Sequence, residues 1–335
     1  MATFYIGMKL GSTATHIYKP GNGIVLREAS LIAMPTNLKV KDIKAIGNDA
    51  KKIIGKVSDN ITIYSPISSG LIQYDDLAIA MLKEFLRKVF PNKKIGQNIK
   101  AILSAPLGIS ASEKKQLETV CFKAGIADVY IIPDVLCYAL GSGIDIKSNS
   151  AHLVVNVGSD TTNIATISNH SIIKGFNFSI GGSIVSVAIA KYIEETYNIN
   201  IGLEQADKVK VEICSLFENY AATMDIVGIN KQTQLKDKIT ISSTELYPIV
   251  KHYYSKIAEA INSIIQSSDP EVVSDIIENG IHFYGGGTNI VGFERFMANE
   301  TKFKINMADI SGANMIGTGE LIKYPQLLKK ILKNN

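Results

Sequence analysis

The chain opens on short apolar runs at strand spacing. "FYIGMKL" (4–10), "THIYK" (15–19) and "GIVLREASLIAM" (23–34) predict three strands, and the "KPGNG" joining the last two is a strong turn signal. After a more polar stretch, "YSPISSGLI" (64–72) leads to Asp75, placed at the N-cap of a helix over 77–90. Leu77, Met81, Leu82, Phe85 and Val89 recur along one face of that helix. "IKAILSAP" (99–106) is a short apolar run and predicts a buried parallel strand. Ser110, followed three residues later by Glu113, predicts a capping box that opens a helix to about Ala124. "VYIIPD" (129–134) then reads as a strand and "VLCYALGSGI" (135–144) as a helix ending in glycines.

The second half repeats this plan. Strands are expected over 152–157, 162–167 and 171–179, and "IGGS" (180–183) opens a helix through Tyr197. A lysine-rich insert spans roughly 200–245, followed by a helix over 244–266, the strand "GIHFY" (280–284) and a "GGGTN" loop before another helix. Two β-β-β-α-β-α halves imply an α/β fold built by a diverged internal duplication. The turns after the first strand of each half align as G-S-x-x-T-x-I: Gly11, Ser12, Thr15 and Ile17 against Gly158, Ser159, Thr162 and Ile164. One Gly-Ser turn usually only reverses a chain. Two in matched positions, facing one another across a duplicated fold, can present backbone N–H groups and hydroxyls to the phosphates of a nucleotide. The glycines 285–287 would allow close approach of a flat base or a phosphate. No Walker A or G-x-G-x-x-G pattern is present, which removes the P-loop and Rossmann readings.

Composition narrows the picture further. At 335 residues the chain can hold two domains, each with its own core. Hydrophobic residues make up 46% of it without a run of eighteen, so no membrane-spanning helix is expected. The chain enters a strand at Phe4 with no signal-peptide pattern before it. Cys121, Cys137 and Cys214 lie far apart in apolar stretches and read as buried free thiols of a cytosolic protein. The five histidines show no ligand spacing, which argues against zinc. A net charge of +4 with dispersed lysines gives no footprint for nucleic acid.

The motifs in combination resemble the MreB family of bacterial actins over nearly the whole chain. They are "LGSTATHIY" with "GIVLREASLIA", "YSPISSGLIQYDD", "SAPLGISASEKK", "VVNVGSDTTNIATIS", "FSIGGSIVSVAI", "ADKVKVEI" and "GIHFYGGGTNIVGFERFM". The resemblance implies the actin-like fold in four subdomains: IA over 1–32, 66–141 and 311–335, IB over 33–65, IIA over 142–180 and 248–310, and IIB over 181–247. It also implies ATP or ADP bound in a cleft between the halves. The residues expected there are Lys9, Gly11, Ser12, Thr13, Asn156, Gly158, Ser159, Asp160, Thr161, Gly181 and Gly182. Lys208 and Glu212 match positions that contact the adenosine, and Gly285, Gly286 and Gly287 match the adenine-side loop. The catalytic group falls on Asp134, Thr161 and Thr162.

The same comparison exposes departures. The aspartate that family members use to hold hydrated magnesium is Lys9 here, and its counterpart in the second loop is Asn156. The water-polarising glutamate is Asp134, one methylene shorter; the proline usually after it is Val135, and a loop glycine has become Asp160. At about 5 Å and an effective dielectric of about 20, each unit of charge is worth roughly 3 kcal/mol, so Lys9 and Asn156 weaken magnesium binding. The Lys9 ammonium either pairs with a phosphate oxygen and partly replaces the metal or extends out of the cleft to water. Hydrolysis should suffer more than nucleotide binding.

The resemblance further implies head-to-tail filaments, with or without other MreB paralogues, in the cytoplasm at the inner face of the cell membrane. An Asn-, Ile- and Lys-rich chain with an eroded site is similar to the paralogues of wall-less bacteria such as Spiroplasma, with a role in cell shape or motility. The expected contact with anionic lipid is "VFPNKKIG" (89–96), through Phe90, Lys93, Lys94 and Ile95, and a second basic-apolar patch is "YPQLLKKILKNN" (324–335). The alternative function is a phosphotransferase of the sugar-kinase or acetate-kinase type on the same fold, although no insert large enough to bind an acceptor is present.

Overall fold

The computed structural model describes residues 3–36, 40–56, 60–94, 96–307 and 312–334. Ile95, named above as a lipid contact, and the proposed boundary at 310/311 lie outside them. Two five-stranded sheets dominate. In the first, the strand Thr3–Leu10 is central: it pairs in parallel with Asn98–Ala105, which pairs in parallel with Asp128–Pro133. On its other side it pairs antiparallel with Ala14–Lys19, which continues to Gly23–Ala29. The second sheet runs in the order Ser171–Phe178, Thr162–Ser168, His152–Val157, Ile281–Tyr284 and Ile305–Met307, its last three strands parallel. The chain divides into two compact units, one gathered from 1–149, 167–176 and 309–335, the other from 150–166 and 177–308.

In the first unit Ile6, Met8 and Leu10 alternate onto one face of the sheet and meet Met81, Leu82 and Phe85 of the helix Asp75–Val89 and Leu117 and Cys121 of the helix Ala111–Ala124. The opposite face receives the helices Asp134–Gly141 and Ala313–Lys323, which touch backbone to backbone. A Cβ on Gly317 would lie 1.6 Å from the Cys137 carbonyl oxygen and one on Gly141 1.7 Å from that of Ala313, so no larger residue fits either position. In the second unit Leu153, Val155 and Val157 pack with Ile189, Ile261, Phe283 and Phe293. The lysine-rich insert is ordered as the helix Leu203–Ile213 and the hairpin of Thr223–Asn230 with Lys236–Ser242.

Several expectations are corrected. Asp75 is the first residue of its helix and not its cap, which is Tyr74; the Asp75 carboxylate instead accepts a 2.7 Å hydrogen bond from Gln116 Nε2 of the neighbouring helix. The Ser110–Glu113 capping box forms as expected, and an unanticipated one, Ser242–Glu245, opens the helix Ser243–Gln266. The helix Pro270–Asn279 was not anticipated, although Pro270 after Asp269 is a start signal. Phe90 is not an exposed tip. It is 8% exposed at the C-cap of its helix, its ring centroid 5.0 Å from that of Phe4, with Lys19 Nζ 5.0 Å from the Phe90 ring. An aromatic ring beside the sheet gains more from burial than from water. Lys93 and Lys94 are exposed. In the helix Pro325–Asn334, Leu328 and Ile331 are buried against the protein, which leaves Leu332 exposed among the lysines.

His282 is held neutral inside the second sheet. His282 sits between Val154 and Asn306 in the pairing, its ring 5.6 Å from that of His152. Its Nε2 has no hydrogen-bond partner among the described residues, so a protonated ring would have a donor with nowhere to point. Burial, then His152 and Lys304, lower its pKa from 6.5 to about 4. The folded protein therefore binds fewer protons than the unfolded chain between those values, and stability present above pH 6.5 is lost as the pH falls toward 4. Urea denaturation of His282→Gln at pH 7 and pH 4.5 should show a smaller loss than the native protein by on the order of 2 kcal/mol.

Candidate functional site

The turn Gly11–Thr13 in the first unit is rigidly held. The Gly11 N–H donates to the Ala14 carbonyl (3.2 Å), the Ser30 hydroxyl to the Gly11 carbonyl (2.6 Å) and the Ser30 N–H to the Thr13 carbonyl (3.2 Å). The Ser69 N–H donates to Ser12 Oγ at 2.8 Å, and the buried hydroxyls of Thr15 and Ser30 lie 3.0 Å apart. Thr13 is exposed at the tip. A Cβ on Gly11 would stand 2.7 Å from the Ala14 carbonyl oxygen, so the tight turn requires glycine.

Lys9 is the penultimate residue of the strand that feeds this turn. Its Nζ lies 3.9 Å from Asp134 Oδ2, with the lysine side chain 29% exposed and the aspartate 4%. Asp134 is the first residue of its helix, where the dipole favours a negative charge, and its carbonyl accepts from Asn314 Nδ2 at 3.0 Å. His16 is directly opposite Lys9 in the pairing and Arg27 opposite His16. Burial, then Arg27 and Lys9, lower the His16 pKa to about 4 and keep the ring neutral between two cations. Burial, followed by the Asp134 charge, pushes the Cys137 thiol up to about 12.

The turn Gly158–Thr161 in the second unit repeats the first: the Gly158 N–H donates to the Thr161 carbonyl at 2.8 Å. It is clamped onto the start of the helix Gly182–Tyr197, whose Gly182 and Ser183 N–H groups donate to the Gly158 (3.0 Å) and Ser159 (2.7 Å) carbonyls. The Ser183 hydroxyl donates to Asp160 Oδ1 at 3.0 Å. A Cβ on Gly181 would meet the Ser159 carbonyl oxygen at 2.4 Å, so this glycine serves the clamp. Thr162 is fully buried and its hydroxyl donates to the Ile180 carbonyl at 2.7 Å, which makes it a tether; Thr161 is the partly exposed member of the pair.

Gly285–Gly287 press on the strand His152–Val157. A Cβ on Gly285, which has φ +98°, would meet the Val157 carbonyl oxygen at 2.3 Å and Asn156 Oδ1 at 2.5 Å; one on Gly287 would meet Val157 Cγ1 at 2.4 Å. Only Gly286 of the three has nothing within 4 Å of that position. Lys208 and Glu212 pair with one another at 3.7 Å on the exposed face of their helix. Sequence reasoning missed Lys210. Its side chain is 14% exposed and its Nζ donates to the Gly182 carbonyl (2.9 Å), Ser186 Oγ (3.0 Å) and Asp207 Oδ1 (2.5 Å). It binds the clamped helix start, and the Asp207–Lys210 spacing of three was its one visible sign.

The first unit thus gathers Lys9, Gly11, Ser12, Thr13 and Asp134, and the second gathers Asn156, Gly158–Thr162, Gly181, Gly182 and Gly285–Gly287. The duplicated sheets with matched glycine turns are those of an actin-like protein. The chain belongs to the MreB/Mbl protein family, whose profile matches residues 3–330. It is 28% identical to the cell shape-determining protein Mbl of Bacillus subtilis over 97% of each chain. Its structure is similar to that of MreB5 of Spiroplasma citri bound to AMPPNP, with TM-score 0.89 and 28% identity over 97% of this chain and 98% of the other. The same protein bound to ADP gives TM-score 0.88 and 29% identity over 99% and 98%. MamK in a double helical filament shares the fold, with TM-score 0.79 at 16% identity over 96% of this chain and 99% of the other. The family profile and curated relatives give the phosphotransferase alternative no support.

The adenine placement implied for residues 285–287 has a sharp test in adjacent glycines. Gly286→Leu should keep its melting temperature within a few degrees and lose about tenfold or more in ATP affinity by calorimetry, since its side chain points into open space. Gly285→Ala should instead destabilise the fold by about 2–4 kcal/mol, through backbone overlap and a positive φ.

Proposed function

We propose that this protein binds ATP and ADP through the turns Gly11–Thr13 and Gly158–Thr161 and assembles head to tail into filaments that act in cell shape or motility. The observation that carries this reading is the repeated hydrogen bond of the two turns, Gly11 N–H to Ala14 and Gly158 N–H to Thr161, in a chain of the MreB/Mbl family. Turns fixed by their own backbone can receive phosphate with little reorganisation. The adenosine lies against Gly286, with Lys208 and Glu212 in reach of it once their mutual pair opens. The nucleotide-bound structures of the related MreB5 support this reading. MamK supports the assembly step only through a shared fold that, in that protein, builds a double helical filament. A contact that repeats without closing generates a filament. We assign four subdomains, with the boundaries given in the sequence analysis.

Hydrolysis is slow in this reading. Asp134 is the group that would polarise water and Thr161 the one that would position it, but the Asp134 carboxylate is buried beside Lys9. Cytoplasmic filaments would reach the inner membrane face through Lys93 and Lys94 at about 1 kcal/mol per lysine, repeated along the polymer. Mixed filaments with other family paralogues follow from the same head-to-tail contact.

Sedimentation with ATP, AMPPNP, ADP or no nucleotide, followed by negative-stain microscopy, tests the assembly. Nucleotide should produce pelletable filaments, and a monomer under every condition would overturn the reading. For the chemistry, phosphate release from the triple variant Lys9→Asp, Asn156→Asp, Asp134→Glu should exceed that of the native protein by about tenfold or more. Equal rates would mean that these three positions do not limit hydrolysis.

A further inference from the structure

The donor set does not fit the magnesium ion that the fold family implies. Lys9 brings a positive charge where a carboxylate would be needed, Asn156 is uncharged, and the Asp134 carboxylate faces the Lys9 ammonium at 3.9 Å. Among the described residues no group of three or more His, Cys, Asp or Glu side chains could hold a metal ion. No step of this site is therefore assigned to a metal.

The geometry of Lys9 offers a substitute. Its separation from Asp134 is longer than the roughly 2.7–2.9 Å of a charge-assisted hydrogen bond, so the carboxylate attracts the ammonium without consuming its donors. Lys9 Nζ makes no hydrogen bond among the described residues, and its side chain is partly exposed beside Gly11. The Asp134 carboxylate is in turn almost wholly buried at a helix start that is fixed by Asn314. The anchor is buried and the cation half-buried, with its donors unused. The neighbour opposite Lys9, His16, stays neutral and so adds no competing charge.

We propose that Lys9 takes the place of the metal. The ammonium, held by Asp134, bridges that carboxylate and a phosphate of the bound nucleotide, so that nucleotide binding by this chain does not need a divalent cation. The proposal rests on the nucleotide reading above and names the cation through which that site meets a phosphate of its ligand. No bond is made or broken: an ion pair between Lys9 and Asp134 becomes a carboxylate–ammonium–phosphate array in which the ammonium's three N–H donors are shared between the two anions.

ATP binding to the full chain, measured by calorimetry in excess magnesium and in EDTA, tests this. The native protein should bind with affinities that agree within about threefold in the two conditions. Lys9→Asp creates a carboxylate pair and should lose about tenfold or more in EDTA while recovering with magnesium. Lys9→Gln should lose metal-free affinity without gaining a response to magnesium, and its melting curve shows whether it folds. A native protein that binds about tenfold more weakly in EDTA would overturn the proposal, as would a folded Lys9→Gln with unchanged affinity. Absence of ATP binding in both conditions would overturn the nucleotide reading itself, and this proposal with it.

Discussion

The first unit depends on a contact in which side chains are absent. The helix Ala313–Lys323 lies on the helix Asp134–Gly141 and on the central strand through glycines: Gly317 against Cys137, Gly141 against Ala313, and Gly7 beneath Thr318, where an added Cβ would stand 1.8 Å from the threonine Oγ1. Such packing trades the entropy penalty of helical glycine, about 1 kcal/mol each, for dispersion contacts along whole backbones. It also fixes the height of the Asp134 helix start above the sheet. Asn314, at the start of the crossing helix, ties the Asp134 carbonyl. The distance between Asp134 and Lys9 is thus set by how closely two backbones can approach.

Each glycine turn is rigid for a different reason. The first is held from its flanks by Ser30 and Ser69, residues of the following strands and turns. The second is held from ahead by the helix that begins at Gly182, whose first N–H groups are used on loop carbonyls. Lys210 completes that arrangement by satisfying the Gly182 carbonyl with a charged donor. The helix start therefore serves the loop as a scaffold, and its own amides are committed to that work.

Much of this was legible in the sequence. Apolar runs marked the strands of both sheets, Ser110 and Glu113 marked a helix start, and the matched Gly-Ser patterns marked two turns that close with the same backbone hydrogen bond. The misses have physical causes. Asp75 has the right side chain for a cap, yet a partner on another helix, Gln116, decides what its carboxylate does. Phe90 sits in a polar-looking loop, and only the sheet edge with Phe4 and Lys19 shows why it is buried. Thr162 and Thr161 are adjacent and chemically alike; strand alternation sends one hydroxyl inward to Ile180, and a local alignment cannot say which. Lys210 is one lysine among many until the glycine carbonyl it serves is located.

The Lys9–Asp134 pair has a consequence for how this sequence can drift. The aspartate is almost fully buried, so replacing the lysine alone by an acidic residue sets two carboxylates side by side in a place poorly served by water, where like charges repel strongly. Removing the aspartate alone leaves the Lys9 cation without its counter-charge. Either single step is penalised in the free chain, whereas losing both charges together is not. A site of this kind works as a ratchet: once the lysine and aspartate are paired, a lineage is more easily carried further from the acidic arrangement than back to it.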